Sequence, residues 1–363
     1  GSDGAHLDWA RQYCRSVHTI PLAPRGLLSR VANLASTYGR GRALHPRREV
    51  TTALESGLRT GGWDVLHVEG TYAAALVDDS FPSPKILSAH DSCGLRAVEM
   101  RRCATTLQEK SYYRFRGLVD PRYERLIYPR FDRCVFVALR DAEAARAVAL
   151  GVRTAIVPNG VDAEHFHPVD VPRDPASLVF HGHLGYLPNV DAVLAFADTI
   201  LPLVRRRVPG AVFHVVGAEP HPCVLALRAR PGIRLSPDLP DLRAAVCSAS
   251  VYVCLIRHGT GIKNKLLEAM AMGVPIVAHP GALDGIEGVD GTHVLSAADP
   301  ATFAEHAVRL LQDPGLSRRL AAAGRRLVEE RYAWTSRARE FERLYEDVIR
   351  ERSEGLPSPA ARR

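Results

Sequence analysis

Three cations flank a glycine turn in VYVCLIRHGTGIKNKLLEAMAMGVPIVAHP (251–280): Arg257 before it, Lys263 and Lys265 after it, around Gly259-Thr260-Gly261. A buried strand is expected to end at Ile256, a helix to run from Ile262 to Met272, and Gly273 to stop that helix before a second buried strand. Leu267, Met270 and Ala271, spaced i, i+3, i+4, supply the helix's apolar stripe. Lysines in a first helical turn oppose the positive helix end, at roughly 0.3–1 kcal/mol each. Gathered there with Arg257, they make sense when a diphosphate sits on the turn's free N–H groups. Residue types alone also allow a Lys265–Glu268 pair at i, i+3, worth about 0.2–0.5 kcal/mol, with Lys263 in solvent. Glu268 lies one turn beyond Asn264 on the polar face, where a carboxylate either accepts two hydrogen bonds from a ribose diol or is simply solvated.

Spacing excludes two other nucleotide sites. A dinucleotide fingerprint needs a third glycine where Asn264 stands, and no G-K-[ST] phosphate loop occurs anywhere.

The elements that must position this segment are short β-branched runs alternating with helix-length amphipathic stretches, the pattern of parallel sheets covered by helices. The first half offers strands at 18–22, 64–69, 85–89, 133–138 and 154–158. The second offers 177–182, 211–217, 233–235, 251–256 and 274–278, with a weaker one at 292–295. Two doubly wound units are therefore expected. PNGVDAEHFHPVDVPRDP (158–175), with its Asn-Gly turn and three later prolines, marks the boundary. The expected division is 1–158, 159–333, a C-terminal helix over 334–350 returning toward the first unit, and a disordered tail over 351–363. The first unit opens on a helix-like stretch with no glycine-rich turn, so its first β-α segment is expected to be missing or reduced.

Of the 363 residues, 46% are hydrophobic and 24% charged, which fits a globular chain and not a disordered one. The net charge of +7 suits an anionic small molecule or an acidic membrane surface, and also follows blandly from an Arg-rich chain. The longest apolar runs are strand-sized, so no membrane-spanning helix is expected. Gly1-Ser2 reads as a tag remnant, with the natural start upstream, and no leader pattern is visible. Seven cysteines without a C-x-x-C pair fit buried thiols in a reducing, cytoplasmic compartment.

LIRHGTGIKNKLLEAMAMGVPIV resembles the donor-site segment of retaining glycosyltransferases of the GT-B fold, in the large family-4 group. PNGVDAEHF (158–166) resembles that group's interdomain crossing, FHGHLGYLPNVDAV (180–193) the first strand, glycine turn and helix of its C-terminal domain, and RLSPDLPDLRAAVCSASVYVC (234–254) its nucleobase-side loop and next helix. The resemblance spans roughly 60 to 350 and implies two Rossmann-like domains facing across a cleft that holds a nucleotide-diphosphate sugar. It implies ribose binding by Glu268, a diphosphate on the Gly261–Asn264 backbone with Arg257 and Lys265 as partners, and close approach at Gly182. His183, Gly259, Thr260, Ile262 and Lys263 would complete the donor shell, and the loop at Leu239 would meet the base. The family's first glutamate is replaced by Thr260, as in a subgroup with the pattern G-x-G-x-x-x-K-x-L-E-A.

KILSAHD (85–91) resembles the strand whose terminal His touches the donor sugar, here His90, with Glu268 and Lys265 the other residues carrying catalysis. Asp91 would orient that imidazole or simply cap a helix, and Glu69 would face the acceptor. The implied chemistry is transfer with retention through an oxocarbenium-like transition state, to a polysaccharide, glycolipid or specialised metabolite. Thr260 and the missing segment also leave open a nucleotide-sugar-binding partner protein without transferase activity. No Asp-x-Asp occurs, so no metal or other cofactor is expected, and the His-x-His pairs at 165/167 and 181/183 lack a third ligand. The Arg- and Tyr-rich segment 100–130 reads either as a face for anionic lipid or as an amphipathic helix pair whose Arg stems cover the sheet. It carries no nucleic-acid motif.

Overall fold

The structure, a computed structural model, describes residues 2–20, 26–44, 47–77 and 81–354. Helices α1 (Ser2–Tyr13), α2 (Leu27–Arg40) and α3 (Arg47–Gly61) come first. A parallel sheet follows, built from β1 (Leu66–Glu69), β2 (Lys85–His90), β3 (Arg133–Phe136) and β4 (Thr154–Ile156) in that spatial order. Its crossovers are α4 (Cys93–Cys103) with α5 (Leu107–Ile127), then α6 (Leu139–Val148). The strand expected over 18–22 is not found: residues 18–20 are irregular, and 21–22 lie outside the described residues. Pro21 lacks the N–H a ladder needs. Ahead of β1 the described residues are helical or irregular, and β1 is an edge strand.

The second unit runs β5 (Asp174–His181), α7 (Leu187–Ala195), α8 (Leu201–Arg207), β6 (Val212–Gly217), α9 (Pro222–Leu225), β7 (Ile233–Pro237), α10 (Arg243–Cys247) and β8 (Ala249–Cys254). It continues through α11 (Asn264–Ala271), β9 (Ile276–Ala278), β10 (Leu295–Ser296), α12 (Pro300–Gln312) and α13 (Pro314–Arg331). The parallel order β10-β9-β8-β5-β6-β7 reverses direction between β5 and β8. That reversal opens a crevice beyond the strands' C-terminal ends, where ligands of such sheets bind. A single π-turn joins α7 to α8, making one helical run over 187–207 whose most apolar 18-residue stretch has mean hydropathy 1.5. By length and composition this run is long and apolar enough to cross a membrane, against the expectation that apolar runs are only strand-sized. Val190, Val193, Phe196, Ile200 and Val204 of this run are buried against Phe213 and Phe303, so here its apolar face belongs to the C-terminal core.

The chain crosses between units twice, side by side: the Val161 N–H donates to the Tyr332 carbonyl (2.7 Å), and Trp334 packs on Gly160. Helix α14 (Trp334–Ser353) then lies on the first sheet, with Val348 buried against Ile86, Val135 and Val157. It extends past the expected end at Arg350, because Glu351 pairs with Arg133 and with Arg153 (2.9 Å). The rest of the expected tail, 355–363, lies outside the described residues. Five of the seven cysteines are buried, and Cys14 and Cys223 are exposed.

Candidate active site

The β5/β8 switch point, capped by the first unit, encloses a cavity of about 390 Å³. From the second unit it takes Gly182 at the end of β5 and Gly259, Thr260, Ile262, Lys263, Asn264, Lys265 and Glu268 from the loop and helix after β8; from the first it takes His90 and Asp91. These are ten of the residues singled out in the sequence.

Helix α11 starts at Asn264, with Lys263 as its N-cap, two residues later than expected. Ile262 and Lys263 belong to the loop because the Lys263 ammonium folds back onto the carbonyls of Thr260 (3.0 Å) and Gly261 (2.6 Å). Burial pushes this ammonium's pKa down. Lys263 is therefore neither solvated nor simply a ligand contact; it braces the glycine loop from inside. Lys265 points across to β5, bonded to the Asn189 side-chain oxygen and 4.9 Å above the Phe180 ring. A methyl at Gly182 would lie 2.8 Å from its Nζ. Burial lowers the Lys265 pKa to about 8, outweighing the nearby Glu268 carboxylate, which raises it. Glu268 does not pair with Lys265; its Oε2 lies 2.6 Å from Nε2 of buried His181. The Thr260 hydroxyl is buried with no partner.

His90 ends β2 at φ +61°, a strained backbone for a residue with a Cβ, beside a register shift opposite β3. The kink turns its ring to Glu69, whose carboxylate is hydrogen-bonded to Nε2 and raises the imidazole's pKa. Burial pushes the Glu69 carboxyl up, but its contacts with His90 outweigh this and hold it below its ordinary value. Glu69, not Asp91, orients His90, because the β1 end lies beside β2. The cap of α4 is Ser92, which accepts from the Leu95 N–H. Asp91 instead faces Gly261.

Four expectations are corrected. Arg257 turns out of the cavity to a bidentate bond with Asp191 of α7 (2.9 and 3.0 Å). His183 points the other way, to Glu219 (3.2 Å). Leu239 is half-exposed and does not line the cavity. Two glycine-loop amides are already bonded, one of them in the Gly261–Asn264 backbone expected to hold the diphosphate: Gly259 N–H donates to Glu99 (3.2 Å) and Gly261 N–H to Asp141 (2.9 Å), both from the first unit. Asp141 also accepts from Ser92 N–H, and burial raises its pKa to about 6. Glu99 is anchored by Arg140 (2.6 Å) and Arg102 (2.9 Å).

Sequence reading missed His181, Asn189, Glu99 and Asp141. The run LVFH offered a signal for the first: in a strand, alternation puts His181 and His183 on one side, and only the former ends an apolar run. Asp141, one turn into a helix that follows a buried strand, offered another. Among the described residues no group of three His, Cys, Asp or Glu is clustered for a metal.

Residues 175–313 match the family model described as Glycosyl transferases group 1. The phosphatidyl-myo-inositol mannosyltransferase of Mycobacterium leprae is 28% identical over 326 residues, 83% of this chain and 79% of that protein. The D-inositol 3-phosphate glycosyltransferase of Frankia alni is 31% identical over 54% of each chain, so this chain spans about half of that relative's length. Among solved structures, sucrose-phosphate synthase from Thermosynechococcus elongatus superposes with a TM-score of 0.65 at 17% identity, over 92% of this chain and 82% of that one. Anabaena HepE in complex with UDP and glucose gives 0.63 at 14%, over 96% and 89%. Residues 175–313 thus form a domain of the group 1 glycosyltransferase type, and the chain has the GT-B fold. The two Rossmann-like units are the two GT-B domains, and the cavity lies in the cleft between them.

Proposed function

We propose that the protein moves a sugar, with retention at its anomeric carbon, from a UDP- or GDP-linked donor held in the 390 Å³ cavity to the hydroxyl of an acceptor entering from the N-terminal domain. The observation that carries this reading is Lys265: an ammonium at the switch-point turn, bonded to the neutral Asn189 side chain and in no salt bridge among the described residues, with the buried Thr260 hydroxyl unpartnered there too. A diphosphate supplies what both lack. Glu268, held by His181, is placed to accept from a ribose diol.

In the transfer the acceptor oxygen bonds to the anomeric carbon as that carbon's bond to the diphosphate oxygen breaks. The bond's electrons leave with the nucleoside diphosphate, and the hydroxyl's proton passes to the departing phosphate oxygen. Lys265 stabilises the charge that develops there, and His90, held by Glu69, faces the donor sugar. No Asp-x-Asp pair is available for a metal-bridged diphosphate, which supports metal-independent transfer. The mannosyltransferases among the relatives support testing mannosyl donors first.

Peripheral contact with anionic lipid on the cytoplasmic side is part of the same reading. Its support is the outer face of α5, where Lys110, Arg114, Phe115, Leu118 and Arg122 are exposed with no acidic residue among them. The inner arginines of this helix pair behave as stems over the domain, Arg116 lying against Tyr72 and bonded to Asp120 (3.0 Å).

The test is calorimetric titration with nucleotides and nucleotide sugars, followed by NMR of the product's anomeric configuration. Binding of one donor nucleotide and an α-linked product from an α-linked donor are expected; an inverted product or no nucleotide binding overturns the proposal.

A further inference from the structure

A second cavity, about 410 Å³, opens beside the first, between the N-terminal sheet and α14. His90, Val137 and Asn159 line both, so the two meet at the imidazole that faces the donor. Its walls are aromatic on the α14 side, with Trp334, Phe341 and Tyr345, and acidic at the rim, with Glu69 and Glu342. Tyr345 and Ser88 hold both ring nitrogens of His67 (2.6 and 2.7 Å), fixing that wall. No lysine or arginine is among its lining residues.

We infer that this cavity is the acceptor pocket and takes an uncharged, polyhydroxylated ring, a neutral sugar or cyclitol, in preference to a phosphorylated one. The inference rests on the donor reading of the adjoining cavity. An aromatic wall suits the C–H face of such a ring. Glu69 and Glu342 accept hydrogen bonds from hydroxyls, which are strong when the acceptor is ionised. A phosphate at the same rim would meet two carboxylates, with the nearby His90 imidazole already bonded to Glu69. The C-terminal helix thereby supplies the pocket's outer wall, so part of acceptor choice is written in the last described residues of the chain.

The test is ligand-observed NMR titration of wild type, Ala338→Trp and Glu342→Lys with methyl hexosides and a cyclitol, each beside its monophosphate. UDP and GDP are titrated in parallel by calorimetry. Ala338 is an exposed lining residue, so Trp there fills the cavity without touching the core. Wild type should favour neutral rings over their monophosphates by about ten-fold. Ala338→Trp should weaken ring binding by about ten-fold with nucleotide affinity unchanged. Glu342→Lys, at an exposed helix position, should narrow or reverse the preference against phosphate. A wild-type preference for monophosphates, unchanged ring binding in Ala338→Trp, or no ring binding by protein that binds nucleotide overturns the inference. Ring binding without nucleotide binding upholds this pocket and counts against the donor reading alone.

Discussion

The backbone N–H of Gly261 donates to the Asp141 carboxylate across the cleft, at 2.9 Å. With Gly259 N–H on Glu99, it means that carboxylates of the N-terminal domain hold amides that an incoming diphosphate is expected to use. Asp141→Asn puts an NH₂ opposite one of the two N–H groups that the carboxylate now serves. Thermal stability should fall, on the scale of about 1–2 kcal/mol for one buried hydrogen bond. Affinity for the nucleoside diphosphate should rise, because the loop amides are released. Calorimetry decides it; weaker binding in the variant refutes the competition.

Asp141 also sets a pH dependence. Its folded pKa, about 6, lies above the ordinary aspartate value, so the native state holds the proton more tightly than the unfolded chain. Its contribution to stability is present at acid pH and is lost as pH rises through about 6. Denaturant titrations of wild type and Asp141→Asn between pH 4 and 8 should show this slope in wild type and its loss in the variant.

Lys265, lowered to about 8, titrates the other way with respect to its ligand. Above that pH the ammonium is lost, so diphosphate affinity should decline from neutral pH to pH 9, and the bound anion should itself raise the pKa. Lys265→Met should bind at least about ten-fold more weakly and show no such decline. Gly182→Ala should mimic it in part, since its methyl would intrude on Nζ and its φ of +152° disfavours a Cβ.

His90 carries strain that its function explains. At φ +61° a glycine relieves what alanine retains, so His90→Gly should be more stable than His90→Ala by about 1 kcal/mol. Both should lose transfer while keeping nucleotide affinity. Equal melting temperatures for the two variants would show the backbone to be unstrained.

Much of this was legible in the chain because it is local. Strand runs such as AVFHVVG and VYVCLI, the glycine turn and the α11 stripe depend on neighbours a few residues away, and each appears within a few residues of its expected place. Lys265 and Glu268 follow from the segment after β8, and Gly182 from the family resemblance of residues 180–193. Arg257 did not, because its partner Asp191 arrives on a helix sixty-six residues earlier, and an ion pair at that separation leaves no periodic trace. His183 was lost to Glu219 for the same reason. The clamp on the glycine loop required two helices of the other domain, α4 and α6, to converge, which no local pattern encodes. The kink at His90 is invisible too, since KILSAHD reads as an unbroken strand end.

The adjacent crossings at Gly160–Val161 and Tyr332–Trp334 leave the halves joined by two parallel cords. Movement that frees the loop amides must therefore be a twist about one short axle, not a parting of the lobes. A protease nick at either cord alone would leave the other intact, and the severed pieces would stay together on a sizing column.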